Sequence, residues 1–260
     1  MKIKQIRNAT MIISYAGKRF LIDPMLGEKG AYPPFPLTEN QNLNNPTVEL
    51  PVSIEEIIDV DAVILTHLHL DHFDPKAIEV IPKDMKIFAQ SEVEASEIES
   101  YGFTNVEVLK EEGNSVGDIK LIKTYAKHYE EESILEVYEQ LKFSPEACGV
   151  IFKHPEEKTL YLLGDTVWCD EVKTTLEKYT PDIVVINAGN AQVIGKRSLI
   201  MSKEEFFEVT KVAPNAQFLA THMEAVNHAT LSRKELRKYS EEKGFSNRLA
   251  IPADGEVCEF

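Results

Sequence analysis

The chain has 260 residues, 43% of them apolar, which is enough for a full core in one large domain or two small ones. A formal net charge of −15 argues against a nucleic-acid partner, because phosphate binding relies on Lys and Arg displacing counterions. Cys148, Cys169 and Cys258 are too few and too widely spaced for a disulfide framework or a cysteine zinc site, and no apolar run reaches membrane-span length.

The chain opens at once on strand-like residues without an apolar leader, so a cytoplasmic protein with no membrane contact is expected. Strands are expected at residues 3–6, 10–15 and 19–22, the last two joined by a hairpin at Gly17-Lys18. Residues 28–53 lack periodicity and gather Tyr32, Pro33, Pro34, Phe35 and Pro36. A long loop of this kind is usually functional or disordered, and its aromatic residues favour a lid over a site.

A short helix at 54–58, with Ser53 as N-cap, leads into the apolar run Ala62-Val63-Ile64-Leu65. Next come a helix at 75–81, a strand at 86–89, a helix at 91–101 ending near Gly102, and strands at 106–109, 115–116 and 120–125. The stretch 130–141 reads as a helix with Ile134, Val137, Tyr138 and Leu141 on one stripe, for which core packing is the simplest account. Strands at 148–152 and 159–163 pair across a polar turn. A helix at 171–179, a strand at 183–187, a helix at 203–212 capped by Ser202, a strand at 217–220 and a helix at 232–243 closed by Gly244 complete the pattern. Strand-rich halves that each end in helices predict an αββα sandwich in one domain spanning 1–260.

The most informative segment is Thr66-His67-Leu68-His69-Leu70-Asp71-His72, directly after the apolar run. It holds three of the seven histidines beside an aspartate. Neutral imidazole and carboxylate suit zinc, manganese or iron. His67 and His69 project from one side of an extended segment, whereas Asp71 and His72 need a turn to reach a second, adjacent position. Two metals are therefore implied. His128, Asp165 and His222 each stand where an apolar strand stops, and supply further ligands in chain order.

The spacing His-x-His-x-Asp-His, with the preceding apolar strand and the later His128, Asp165 and His222, resembles the metallo-β-lactamase superfamily across nearly the whole chain. More narrowly it resembles the L-ascorbate-6-phosphate lactonase-like branch of metal-dependent hydrolases. The resemblance implies a four-layer αββα fold and two divalent ions, Zn or Mn foremost and Fe as an alternative. It implies His67, His69 and His128 on one ion, Asp71, His72 and His222 on the other, and Asp165 bridging. The family's β-lactamases generally lack that bridging carboxylate, so antibiotic hydrolysis is disfavoured. Asp23 matches a family aspartate that would orient a ligand imidazole, and a strand-ending aspartate before Pro24 is the plainer alternative.

Outside the ligand set the assignments are looser. Trp168 and Cys169 follow Asp165 closely enough to edge a pocket, although burial is the simpler account of each. Asn190 closes a polar turn after residues 183–187, with substrate contact as its second reading. His228 competes with His222 for the last metal position, and is assigned instead to the pocket wall, with loop packing as the alternative.

The expected activity is dinuclear metal-dependent hydrolysis, by a metal-bridging hydroxide, of a small ester, lactone or phosphorylated sugar-type substrate. Asp71 and Asp165 are the catalytic carboxylates, and Asp71 would orient the nucleophile or pass a proton to the leaving group. The alternatives are a phosphodiesterase acting on a small molecule or RNA, and a metal-binding scaffold without turnover. The partner is a small molecule, and a homo-oligomer remains open.

Overall fold

The computed structural model describes residues 1–260. Three strands, β1 (Lys2–Arg7), β2 (Thr10–Tyr15) and β3 (Lys18–Ile22), form an antiparallel meander. After the long loop, α1 (Ile54–Ile58), β4 (Ala62–Ile64), α2 (Pro75–Val80), β5 (Ile87–Ala89), α3 (Glu92–Ser100) and β6 (Val106–Val108) extend the same sheet in parallel. The side chains of Ser53, Asp74 and Ser91 cap α1, α2 and α3 by accepting a backbone N–H of the first turn.

The second half repeats this plan. Strands β7 (Asn114–Val116), β8 (Ile119–Lys127), β9 (Glu146–His154) and β10 (Glu157–Leu162) are antiparallel neighbours, and α4 (Ser133–Leu141) interrupts the β8–β9 hairpin. Then α5 (Asp170–Tyr179), β11 (Ile183–Asn187), α6 (Lys203–Val212), β12 (Gln217–Thr221), α7 (Arg233–Lys243) and β13 (Leu249–Ala250) continue in parallel. A final strand, β14 (Val257–Glu259), returns to the first sheet and pairs antiparallel with β1. Each sheet thus has seven strands, ordered β14-β1-β2-β3-β4-β5-β6 and β13-β12-β11-β10-β9-β8-β7.

The layering follows from alternation along the strands. Phe20, Ile22, Ala62 and Ile64 of one sheet meet Val150, Phe152, Leu160, Leu162, Ile183 and Val185 of the other in the central core. Their neighbours face outward. Leu21, Val63 and Leu65 pack beneath α1, α2 and α3 with Ile57, Ala77 and Ile98. On the opposite side Tyr161, Val184, Ile186 and Phe218 pack against Val172, Phe206 and Leu236 of α5, α6 and α7. Three apolar layers between four structural layers make the αββα sandwich.

Because β8 is separated from β10 by one antiparallel neighbour, β8, β10, β11 and β12 all end at the same edge of their sheet. In the other sheet β3 and β4 also run parallel to each other. The chain segments that leave these ends converge on one site, in keeping with the rule that α/β sheets build sites outside their strands' carboxyl ends.

Candidate metal centre

Six of the seven histidines meet at this edge, the exception being His154 in the β9–β10 hairpin. His67, His69, Asp71 and His72 leave β4, and His128 follows β8. Asp165 follows β10 after Leu163 and Gly164, and His222 follows β12 directly. Their ligating atoms form three overlapping groups: His67 with His69 and His128; His67 with His72 and Asp165; and Asp71 with His72 and His222.

Asp165 is the hub. Its Oδ2 lies 3.2 Å from His72 Nε2, 3.5 Å from His128 Nε2, 3.6 Å from His222 Nε2 and 3.9 Å from His67 Nε2. Asn187 Nδ2 donates to its other oxygen at 2.6 Å and fixes the carboxylate plane. Gly164 before it has φ +67°, and a Cβ there would stand 2.2 Å from the Cys148 carbonyl oxygen, so only glycine fits this turn. His222 and Asp23 also adopt left-handed backbone, with φ of 57° and 44°. Such conformations cost energy and cluster at functional sites.

The tautomers are set from outside the cluster, and this tests whether a cation fits. His69 Nε2 donates to the Ser144 carbonyl at 2.8 Å, and His128 Nδ1 donates to the Leu199 carbonyl at 3.0 Å. His69 Nδ1 and His128 Nε2 are then both lone-pair acceptors, and they face each other at 3.2 Å. His72 Nδ1 donates to Asp23 Oδ2 at 2.9 Å, which turns His72 Nε2 into the cluster, 3.2 Å from His222 Nε2. The buried His67 Nε2 has no hydrogen-bond partner. Acceptors pointed at acceptors, beside two carboxylates, are the donor set of a cation site. The residues fit divalent metal.

Asp23 serves both sides of the cluster. Its Oδ1 accepts the Thr66 amide at 2.8 Å, and its Oδ2 accepts both His72 Nδ1 and the Thr66 hydroxyl, the latter at 2.7 Å. With its proton committed to Asp23, the Thr66 oxygen accepts from His67 Nδ1 at 3.2 Å.

Burial drives His67, His128 and His69 toward the neutral, ligating form, His69 to about 3. Burial also opposes charge on His72 and His222, but Asp165 and Asp71 outweigh it and raise both. Desolvation alone would raise Asp71 and Asp165, yet His72 and His222 hold both well below the ordinary carboxylate range.

A small cavity of about 40 Å³ opens beside the cluster. His69, Asp71, His128, Asp165 and His228 form its polar floor. Its wall is apolar, and includes Phe35 from the long loop together with Ile134, Val137, Tyr138 and Leu141 from α4. The α4 stripe serves both a core and the cavity: Ile134 and Tyr138 are buried in a small cluster, and all four stripe residues also line the cavity, because helical periodicity reads the same whether the apolar face meets a core or a ligand space. The long loop reaches the site through Phe35, Pro36 and Thr38. Tyr32 turns away, and its hydroxyl donates to Asp74 Oδ2 at 3.1 Å.

His228 lines the cavity, with Nε2 3.9 Å from Asp71 Oδ2 and its ring centre 4.4 Å from that of Phe35, and burial lowers its pKa to about 4. Trp168 and Asn190 do not line it. Trp168 packs on the core beneath α5–α7, because its backbone is tied to Glu205 at the start of α6. Asn190 spends its side chain on Thr230, Gln192 and Ser198 in the adjoining loop. Asn187 instead reaches the site, and it carries the same signal as Asp165: a polar residue where an apolar strand stops.

A model of the Beta-lactamase superfamily domain matches residues 18–223. The chain belongs to the β-lactamase superfamily. Within that superfamily it is 51% identical to the UPF0173 protein YddR of Bacillus subtilis over the full length of both chains. It is 26% identical to a UPF0173 metal-dependent hydrolase of Koribacter versatilis, across 78% of this chain and 79% of the relative. The crystal structure of isothiocyanate hydrolase from Delia radicum gut bacteria superposes with a TM-score of 0.95 at 44% identity, covering 100% of this chain and 99% of that one. With the superfamily's sandwich and its histidine–aspartate cluster, this chain is a metal-dependent hydrolase.

Proposed function

We propose that this hydrolase uses two divalent ions, Zn or Mn, to hydrolyse a small neutral electrophile with an apolar arm, and that isothiocyanates are its substrate class. One observation carries the reading: the cavity pairs the histidine–aspartate floor with an apolar wall, and no Lys or Arg lines it. A pendant phosphate would find no counter-charge there, which weighs against sugar phosphates and phosphodiesters. The likeness to the isothiocyanate hydrolase supports the choice of electrophile.

In the ligand scheme that fits, His67, His69 and His128 would hold one ion, Asp71, His72 and His222 would hold the other, and Asp165 would serve both groups. Such ions supply a water of lowered pKa and polarise the electrophile. The chain's own residues do the rest. Asp71, His228 and Asp165 face the reacting carbon from the floor, and the wall excludes bulk water. Water oxygen bonds to the central carbon of R–N=C=S and its protons are redistributed, one reaching nitrogen; the resulting thiocarbamic acid then releases amine and carbonyl sulfide. Asp71 Oδ2, 3.2 Å from His222 Nε2 and 3.9 Å from His228 Nε2, is placed to accept the water proton and return it to nitrogen. Three unpaired cysteines accord with a reducing, cytoplasmic setting.

The test is a substrate panel on Zn- and Mn-reconstituted protein. Amine release from an isothiocyanate, with slower turnover of lactones, thioesters and bis(p-nitrophenyl) phosphate, supports the reading. Faster turnover of a lactone would return the chain to the lactonase-like reading, and preference for the phosphodiester would overturn the argument from the wall.

A further inference from the structure

The face of α4 that meets the cavity is unequal along its length. Ile134 and Tyr138 are buried, and Tyr138 is fixed by its hydroxyl, which donates to the His128 carbonyl at 2.9 Å. Val137 and Leu141 on the same face are only half-buried, as is Phe143 just beyond the helix. Opposite them stands Phe35, with its ring centre 6.4 Å from that of Phe143. The cavity between floor and wall is small, about 40 Å³. A ligand whose reacting group sits on the floor therefore presses the remainder of its structure against these side chains.

We infer that Val137, Leu141 and Phe143 form the subsite for the substrate's arm and set its permitted size, so that the enzyme takes short, uncharged, apolar arms. The inference rests on the functional reading above for the identity of the reacting group. Three features of the site support it. No charged side chain lies on the wall to accept a charged arm. The deeper stripe residues are locked into a small core with Ala191, Leu199 and Ile200, so they cannot yield to a larger arm. Val137 and Phe143 pack against the edge of that core without being buried in it, and Leu141 lies outside it, so the outer end of the stripe has room to change. Because α4 is an insertion in the β8–β9 hairpin, its outer residues are changeable without disturbing the sheets.

The experiment compares wild type with Leu141→Ala and Val137→Leu on allyl, hexyl and 2-phenylethyl isothiocyanates. The wild type is expected to favour allyl in kcat/KM. Leu141→Ala is expected to raise the 2-phenylethyl-to-allyl ratio roughly ten-fold or more, and Val137→Leu to lower it, in line with the discrimination that one to three methylenes give in an apolar pocket. The same arms on unreactive O-methyl thiocarbamates, followed by thermal shift, give a reading that needs no turnover. Unchanged arm preference in both variants, by kinetics and by binding, overturns the subsite. A failure of every isothiocyanate to turn over, with arm-dependent binding that still follows residue 141, overturns the substrate class and leaves the subsite standing.

Discussion

The side-chain carbonyl of Asn227 accepts the Phe35 amide at 2.9 Å, and the next residue, His228, lays its ring against the ring of Phe35. The same Asn227 side chain accepts from Asn45 Nδ2 and donates to the Thr38 hydroxyl and the Glu39 carbonyl. One buried amide thus ties four points of the long loop to the segment that follows the last metal ligand. Asn227 thereby links the loop that carries Phe35 to the segment that carries His228.

Replacing Asn227 by Ala is expected to strip partners from several polar groups at once, costing about 2 kcal/mol or more of stability. Because Asn227 touches no ligand atom, bound metal should be unchanged while KM rises. Metal analysis beside steady-state kinetics checks this. Loss of metal with unaltered KM would mean that the loop supports the cluster and not the cavity.

Asp23 reaches His72 directly and His67 through Thr66, so Asp23→Ala is expected to weaken binding at both ends of the cluster. Removing an orienting carboxylate of this kind typically lowers metal affinity or activity by about 10- to 100-fold. Competition with a graded chelator series gives the affinity. Thr66→Val should show a smaller loss, confined to the site that includes His67.

Much of this site was legible because candidate metal ligands obey a simple local rule: a polar side chain placed directly after an apolar strand. His128, Asp165 and His222 follow it, and the family resemblance ordered them. Asn187 follows it equally, but an amide at a strand end is also ordinary turn chemistry. The role of α4 was hidden because a stripe at positions i, i+3, i+4 and i+7 looks identical against a core and against a cavity. The strand β14 was hidden for another reason. Its short, partly charged Val257-Cys258-Glu259 has no strand pattern of its own, and pairs with β1 only because the fold brings residues some 250 positions apart together. The same remoteness concealed Phe35 as the one loop aromatic that reaches the site, since Asn227 holds Phe35 there while Asp74 draws Tyr32 away.

The metal count is expected to be two per chain, and Asp165→Ala is expected to lower it, because its Oδ2 lies within 4 Å of four ligand imidazoles. Asn187→Ala should leave the count at two while reducing kcat, since it only fixes the carboxylate plane. Elemental analysis of reconstituted protein decides. A wild-type value that saturates at one ion, unchanged in Asp165→Ala, would remove the dinuclear scheme.

Glu94, on the buried side of α3 and in contact with the Leu68 backbone, predicts a pH dependence of stability. Its Oε2 is buried without a hydrogen-bond partner, and desolvation raises its pKa from 4.5 to about 7. The unfolded chain releases this proton above pH 4.5 while the folded one keeps it, so the folded state binds more protons in that window. Stability is therefore fully present below 4.5 and falls as the pH rises through 7. At about 1.4 kcal/mol per pH unit, the full loss is roughly 3.5 kcal/mol. Glu94→Gln keeps the shape and cannot ionise, so it should raise the melting temperature at pH 8 and change it little at pH 4.5. Parallel melting curves of the two proteins from pH 4.5 to 8 measure the difference, and a constant offset across that range would show that Glu94 is already ionised in the folded state.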